Sequence, residues 1–325
     1  MSSPWALGQG WQAMPSPTSE ALSGVWGVFA VGSEGTILRY DGQGWQVMPS
    51  PTSEALSGVW GVFAVGDQGT MLRYDGQGWQ AVPSPTSKAL SGVWESAPDN
   101  VYVVDVEGTM LHYDGEGWRR MTLPTTLPEE VSSRQIRLHD VWGSGPQDVF
   151  AVGNGGTTLH YNGQDWQNMT SPTTAWMSGV WGSGPRDVFV VGDGGTILRY
   201  DGHSWEEEIR PTKPSLNGVW GSGPQDVFVV GMRAGLRSHG CTACGGTGRR
   251  MSLPWVQKMP SPAPEASLKG VWGSGTTDVF AVGDRGTILH YDGEGWQKMP
   301  SPAPEAWLTG VWGSGPQDVF AVGSP

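Results

Sequence analysis

One pattern of about forty residues recurs from end to end of this chain of 325 residues, and its composite form reads VWGSGPQDVFAVGDGGTILHYDGEGWQKMPSP. Val-Trp pairs set the beat, with Trp at 26, 60, 94, 142, 181, 220, 272 and 312. A period near forty is that of a blade array, in which each unit is one supersecondary motif that buries its apolar surface only against its neighbours. The repeat therefore predicts an all-β β-propeller, and because the copies run end to end, a single domain over 1–325.

Residues 178–208 show how one unit is built. Val180-Trp181 ends a first strand, and Gly182-Ser183-Gly184-Pro185-Arg186-Asp187 is a run of turn formers. Val188-Phe189-Val190-Val191 is apolar on both faces, as a strand sandwiched between neighbouring sheets should be. Gly192-Asp193-Gly194-Gly195 supplies a hairpin, Thr196 to Tyr200 a third strand, Asp201-Gly202 another turn, and Trp205 opens a fourth strand. Four short antiparallel strands make one propeller blade.

Counting these features predicts eight blades. There are eight first strands, eight second strands, and eight fourth strands opening at Trp11, 45, 79, 118, 166, 205, 255 and 296. Third strands number six clear copies, so seven blades remain an alternative if the damaged unit drops out. The chain starts on a fourth strand and stops after a second, so N- and C-terminal strands sharing one blade would close the ring and hide its edge.

The pattern breaks in three places. Units one and two read Val25-Trp26-Gly27-Val28-Phe29, without the first turn. A lone Gly cannot reverse a strand, so either the first strand ends early or these blades keep three strands. Residues 123–138 form a long interblade loop carrying Glu129, Glu130, Arg134 and Arg137. Residues 232–255 lose the repeat and then recover it, as a shifted reading frame that corrects itself would. That stretch holds Cys241-Thr242-Ala243-Cys244-Gly245-Gly246-Thr247-Gly248, which resembles the CxxCxGxG half-site of the zinc region in DnaJ chaperones. With His239 as a third ligand and no fourth, it falls short of a structural zinc site, and no metal or cofactor is expected.

The formal net charge of −12 opposes a phosphate-binding surface, so nucleic acid is not an expected partner. No apolar run is long enough to span a bilayer and no signal peptide is visible, which reads as a cytoplasmic chain by default. Two Cys leave the redox compartment open, and Asn168-Met169-Thr170 fits a glycosylation acceptor only in a eukaryotic secretory pathway.

AVGDRGTILHYDGEGW at 281–296 and its copies resemble two groups of bacterial propellers. One is the Asp-box (BNR) group with photosystem assembly-factor-like repeats, and the other the tectonin-like and fucose-binding lectin propellers. The leading Ser of the Asp box is missing, so Asp-box sialidases lend only their fold. The resemblance implies an exported binding protein and, from the lectins, carbohydrate recognition.

One polar column runs through the apolar repeat: Arg39, Arg73, His112, His160, Arg199 and His290, followed by Tyr40, Tyr74, Tyr113, Tyr161, Tyr200 and Tyr291 and then Asp or Asn. A planar donor beside an aromatic ring and a carboxylate can grip a sugar. The same residue can instead pair with the Asp of its own turn and stabilise the hairpin. Sixteen of the 19 Trp fall in the repeat columns as packing, while Trp176 and Trp307 stand on interblade loops as candidate stacking surfaces.

These features predict a monomeric, non-catalytic protein that binds glycans multivalently, with a protein-interaction scaffold as the alternative. A sialidase-like hydrolase fits less well, because an enzyme needs unlike residues from unlike blades. No GxSxG, Walker or HExxH pattern is present.

Overall fold

The computed structural model describes residues 11–124, 136–208, 214–232, 237–239, 256–258, 261–316 and 318–325. The chain forms a β-propeller of antiparallel sheets, seven of four strands and one, the last, of two. In the fifth sheet the strands are Met177–Gly184, Asp187–Gly192, Ile197–Tyr200 and Trp205–Glu207, paired in chain order. The second strand is buried along its whole length, which is why it carries no polar residue after Asp187.

The innermost strands follow one another around the ring, and side chains stitch them across the seams. Ser91 Oγ donates to Leu138 O, Asn217 Nδ2 to Leu268 O, and His139 Nδ1 to Met177 O, each at 2.8 Å. Thr309 Oγ1 does the same to Leu22 O at 2.8 Å, which brings the last sheet against the first. The residue after each of these side chains is Gly in every sheet but the fourth, where Asp140 stands.

First-strand tryptophans lie against the following sheet. A Cβ added at Gly182 would sit 2.5 Å from the Trp142 ring, and one at Gly221 2.5 Å from the Trp181 ring. The Trp-Gly pair is thus a packing requirement between consecutive units. Where units one and two differ, Trp26 stacks on Trp60 with ring centroids 3.7 Å apart.

Several expectations need correcting. Among the described residues complete four-stranded blades number seven, and the eighth repeat contributes Trp307–Gly315 and Asp318–Ser324. No described N-terminal residue adds a strand to it. Units one and two keep four strands, because Gly27 and Val28 together make a two-residue turn between Trp26 and Phe29, with Gly27 at φ 58°. The first strand there ends early, at Trp26 rather than at the position of Gly145 in the fourth sheet.

A seventh third strand exists inside the disrupted stretch: Arg237–His239 pairs Val227 with His239 on one side and His239 with Val256 on the other. Val256, not Trp255, therefore holds the register that Trp45 holds opposite Tyr40. Cys241, Cys244, Glu129, Glu130 and Arg134 lie outside the described residues.

Candidate functional site

The polar column is built into the sheets. His160 Nε2 lies 2.6 Å from Asp148 Oδ1, and its ring stacks on Phe150 at 4.4 Å. His290 repeats this on Asp278 at 2.7 Å and on Phe280 at 4.5 Å. Arg199 donates from Nε and Nη2 to Asp187 Oδ1 at 2.9 and 2.7 Å, with its guanidinium over Phe189. In each case the partner is the Asp that opens the second strand, not the Asp of the residue's own turn.

The turn carboxylates are otherwise engaged. Asp201 Oδ1 accepts from His203 N and Ser204 N, and these donors hold its carboxyl below the usual carboxylate range. The second oxygen of the strand-opening Asp takes a serine: Ser183 Oγ donates to Asp187 Oδ2 at 2.8 Å. The same Ser–Asp contact recurs at Ser144–Asp148, Ser274–Asp278 and Ser314–Asp318. Serine and histidine thus hold opposite oxygens of one carboxylate, so the histidine is not placed to deprotonate the serine as a base. This Ser-Gly-Pro-x-Asp grouping went unrecognised as functional in the sequence, although its fixed spacing was visible.

The remaining members of the column differ. Units one and two lack the Asp, so Arg73 turns to Tyr113 OH of the next sheet at 3.1 Å, while Arg39 is exposed. Arg73 and Tyr74 line a pocket of about 490 Å³ with Val62 and Pro98. His112 stacks on Tyr102 at 4.4 Å, and burial pushes its pKa down. The tyrosines are wedged between sheets: Tyr200 against Trp205 and Phe150, Tyr40 against Trp45 and Phe320, Tyr161 against Trp166 and Tyr102. Tyr113 and Tyr291 also donate to the carbonyls of Gly115 and Gly293 in their own turns.

Breaking one of these intrasheet pairs leaves a half-buried cation behind. Asp187→Asn is expected to lower the unfolding free energy by about 1–2 kcal/mol, measured by chemical denaturation. Asp318→Asn, at an exposed counterpart, is expected to change it by less than about 0.5 kcal/mol.

Trp176 and Trp307 are 47% and 59% exposed. Both lie at the opposite end of the sheets from the Arg/His–Tyr positions: Trp176 immediately precedes the first strand of the fifth sheet, whereas Trp307, expected on an interblade loop, opens the first strand of the eighth and pairs with Ser324. The fourteen candidates therefore form a repeated column plus two separate rim tryptophans, not one site.

Among the described residues the last sheet has two strands. The strand Asp318–Ser324 pairs with Trp307–Gly315 and, among the described residues, with no strand on its other side. Phe320 and Ala321 are only half-buried there, whereas Phe150 and Ala151 at the same positions of the fourth sheet are fully covered. Beside that strand lies a cleft of about 890 Å³, with Phe280, His290, Tyr40 and Phe320 among its walls.

Trp11 borders the same cleft and meets Phe280 edge-on, 5.9 Å between centroids at 77°. Trp205 meets Phe150 likewise, at 6.2 Å and 86°. Trp11 thus holds the place of a fourth-strand tryptophan of the last sheet, as its position in the repeat predicts. Among the described residues no group of three or more His, Cys, Asp or Glu is placed to hold a metal. No described helix is long and apolar enough to cross a membrane.

No known family profile matches the sequence, and no curated protein matches it. The fold is nevertheless shared with solved propellers. The C-terminal WD40 domain of Sif2 is 11% identical, with 95% of this chain and 91% of that one covered at TM-score 0.68. YCF48 from Cyanidioschyzon merolae is 16% identical with 97% of both chains covered at TM-score 0.62. YCF48 bound to D1 peptide is 16% identical, with 100% of this chain and 97% of that one covered at TM-score 0.59. At these identities the likeness is one of fold: the chain is a β-propeller repeat protein of the same architecture as YCF48 and the WD40 domains.

Proposed function

We propose that this chain is a non-catalytic, protein-binding propeller. The observation that carries the reading is the closure of the repeated polar column on its own sheets, where strand-opening aspartates already hold His160, Arg199 and His290. That YCF48 has been solved with a D1 peptide supports peptide binding as a use of this architecture.

The glycan reading rests on the Arg/His–Tyr column, and a sugar at His160, Arg199 or His290 would have to displace an aspartate from each. It would also have to reach tyrosine faces that neighbouring aromatic rings already cover. Those costs favour the protein partner.

A displayed library of extended peptides and a glycan array, run on the same folded protein, separate the two readings. The expected result is selected peptides and blank sugars. Sugar binding with no peptide selected would overturn the proposal.

A further inference from the structure

We propose that the seam between the second and third sheets is a binding pocket for an acidic side chain, aspartate or glutamate, carried by a partner protein. This deepens the protein-binding reading and depends on it. The pocket is the space that the first turn occupies in other units. In the fourth sheet Ser144 to Asp148 stand between Gly143 and Val149, whereas in unit two Gly61 joins Val62 directly. Phe63 faces Arg73 as Phe150 faces His160, so Arg73 holds the place of the paired cations, and no aspartate precedes Val62 to meet it. Val62, Arg73, Tyr74 and Pro98 line the cavity of about 490 Å³ at this place.

Two further observations define what the pocket takes. The first is shape. Where the Ser-Gly-Pro-x-Asp turn is present, its fourth residue packs on the glycine of the following Asp/Asn-Gly turn. A Cβ added at Gly163 would lie 2.9 Å from Gln147, and one at Gly202 2.7 Å from Arg186. At Gly76 it would meet nothing within 4 Å. The second is charge. Arg73 lies over the Phe63 and Tyr113 rings, 5.7 and 5.6 Å from their centroids, and its Nη1 donates to Tyr113 OH at 3.1 Å. It forms no ion pair among the described residues. The acids beside it are otherwise engaged. Asp75 Oδ1 accepts from Gln77 N and Gly78 N, and Glu95 Oε2 accepts from Val62 N at 3.4 Å. Burial pushes the Glu95 pKa up, against the pull of that amide and of Arg73. Guanidinium N–H groups not used by Tyr113 are therefore free to hold an incoming carboxylate, as Arg199 holds Asp187.

Unit one repeats the sequence of unit two but not its pocket. Arg39 is exposed, and the unit that follows it has Gly61 where the third sheet has Glu95, and no counterpart of Pro98. The carboxylate does not come from the surrounding units, because the chain is described without a break from 11 to 124. Outside the described residues the sequence holds two acids, Glu129 and Glu130. They fall between Pro124 and Ile136, and Ile136 abuts Gly108 at the interblade end of the third sheet, opposite to Arg73. Charge complementarity thus selects a carboxylate from a partner, presented on a segment narrow enough to lie against Gly76.

The test titrates the hexapeptide SGPQDV, the sequence of residues 144–149, into the isotopically labelled full chain and follows the Val62 and Gly76 amide signals by NMR. Saturable shifts are expected with a Kd on the order of 0.1–1 mM, and roughly tenfold weaker binding for SGPQNV. Arg73→Gln is expected to abolish the shifts and Arg39→Gln to leave the affinity within about twofold. Glu95→Gln keeps an acceptor for Val62 N while removing the competing charge, and is expected to tighten binding about threefold. Absence of shifts at about tenfold higher peptide, equal binding of SGPQNV, or undiminished binding to Arg73→Gln would overturn the inference. So would inorganic phosphate that shifts the same signals with equal affinity, since the site would then hold any small anion. Tighter binding after Glu129→Gln with Glu130→Gln would make this chain's own acids the occupant and overturn it as well. If the displayed library selects peptides that SGPQDV does not displace, protein binding survives and this site falls.

Discussion

Replacing Gly192 by alanine is expected to destabilise the protein by at least about 3 kcal/mol. The added Cβ would lie 2.0 Å from the Trp176 carbonyl oxygen and 3.0 Å from Met177 Cα, both of them backbone. Neither atom can swing aside as a flexible side chain would. Trp176 O is moreover held by Asp193 N at 2.8 Å, so moving it breaks a hydrogen bond that fixes the interblade loop to the hairpin. The conformation itself is no obstacle: Gly192 is extended, at φ −173° and ψ −157°. The cost is purely steric. Gly184, with nothing within 4 Å of an added Cβ, is the control, and Gly184→Ala is expected to shift stability by less than about 0.5 kcal/mol. Denaturant titration of both variants checks this, and equal stabilities would mean that the loop does not rest on the hairpin as described.

The same close approach recurs at Gly32, Gly66, Gly153, Gly231, Gly283 and Gly323, where an added Cβ would come within 2.2 Å of a backbone carbonyl. This accounts for the Gly that ends every Val-Gly strand. It is a demand of packing between the second strand and the chain that enters the first, and only incidentally one of turn formation.

The second large effect concerns pH. Asp140 replaces the glycine of the other inner strands and accepts from Val141 N at 2.9 Å and from Val180 N of the next sheet at 3.0 Å. Burial nevertheless outweighs these donors and pushes its pKa up from 3.8 to about 6. Between those values the folded protein keeps a proton that the unfolded chain has released. The stability this group contributes is therefore complete below about pH 3.8, falls as pH rises, and is gone above about pH 6. A shift of that size corresponds to roughly 3 kcal/mol.

Asp140→Asn removes the charge but retains one carbonyl acceptor, so it satisfies one of the two N–H groups. At pH 7 to 8 the variant is expected to be more stable than the parent by about 1–2 kcal/mol, with a flatter stability profile between pH 4 and 6. Unfolding free energies across that range measure it. An unchanged slope would show that the carboxylate is solvated rather than enclosed between the fourth and fifth sheets.

Much of this protein can be read from local pattern. The apolar second strand and the Asp-Gly turns each act within a few residues, and each appears in the fold where the repeat puts it. The lost first turn of units one and two left two alternatives open, and the Gly27-Val28 turn decides for a first strand that ends early, because two residues suffice to turn the chain. The polar column was legible as a column, but its partner was not. Asp187 lies twelve residues before Arg199 and Asp201 only two after it, so proximity in sequence points to the wrong carboxylate. Antiparallel pairing brings the distant one into reach, while the near one is occupied by its own turn.

The sequence by itself determined the propeller repeat, the order of strands in a unit and the residues that fill the spaces between sheets, because these follow from a periodicity that each unit obeys alone. Only the tertiary structure decided which carboxylate meets which cation, whereas the place of Trp11 as a fourth-strand tryptophan was already legible in the repeat. It also decided that the Asp140 carboxyl is forced toward its neutral form. Those outcomes depend on which surfaces meet across a seam, such as Thr309 against Leu22, and on how much water is left between them, and neither quantity is written in any one repeat.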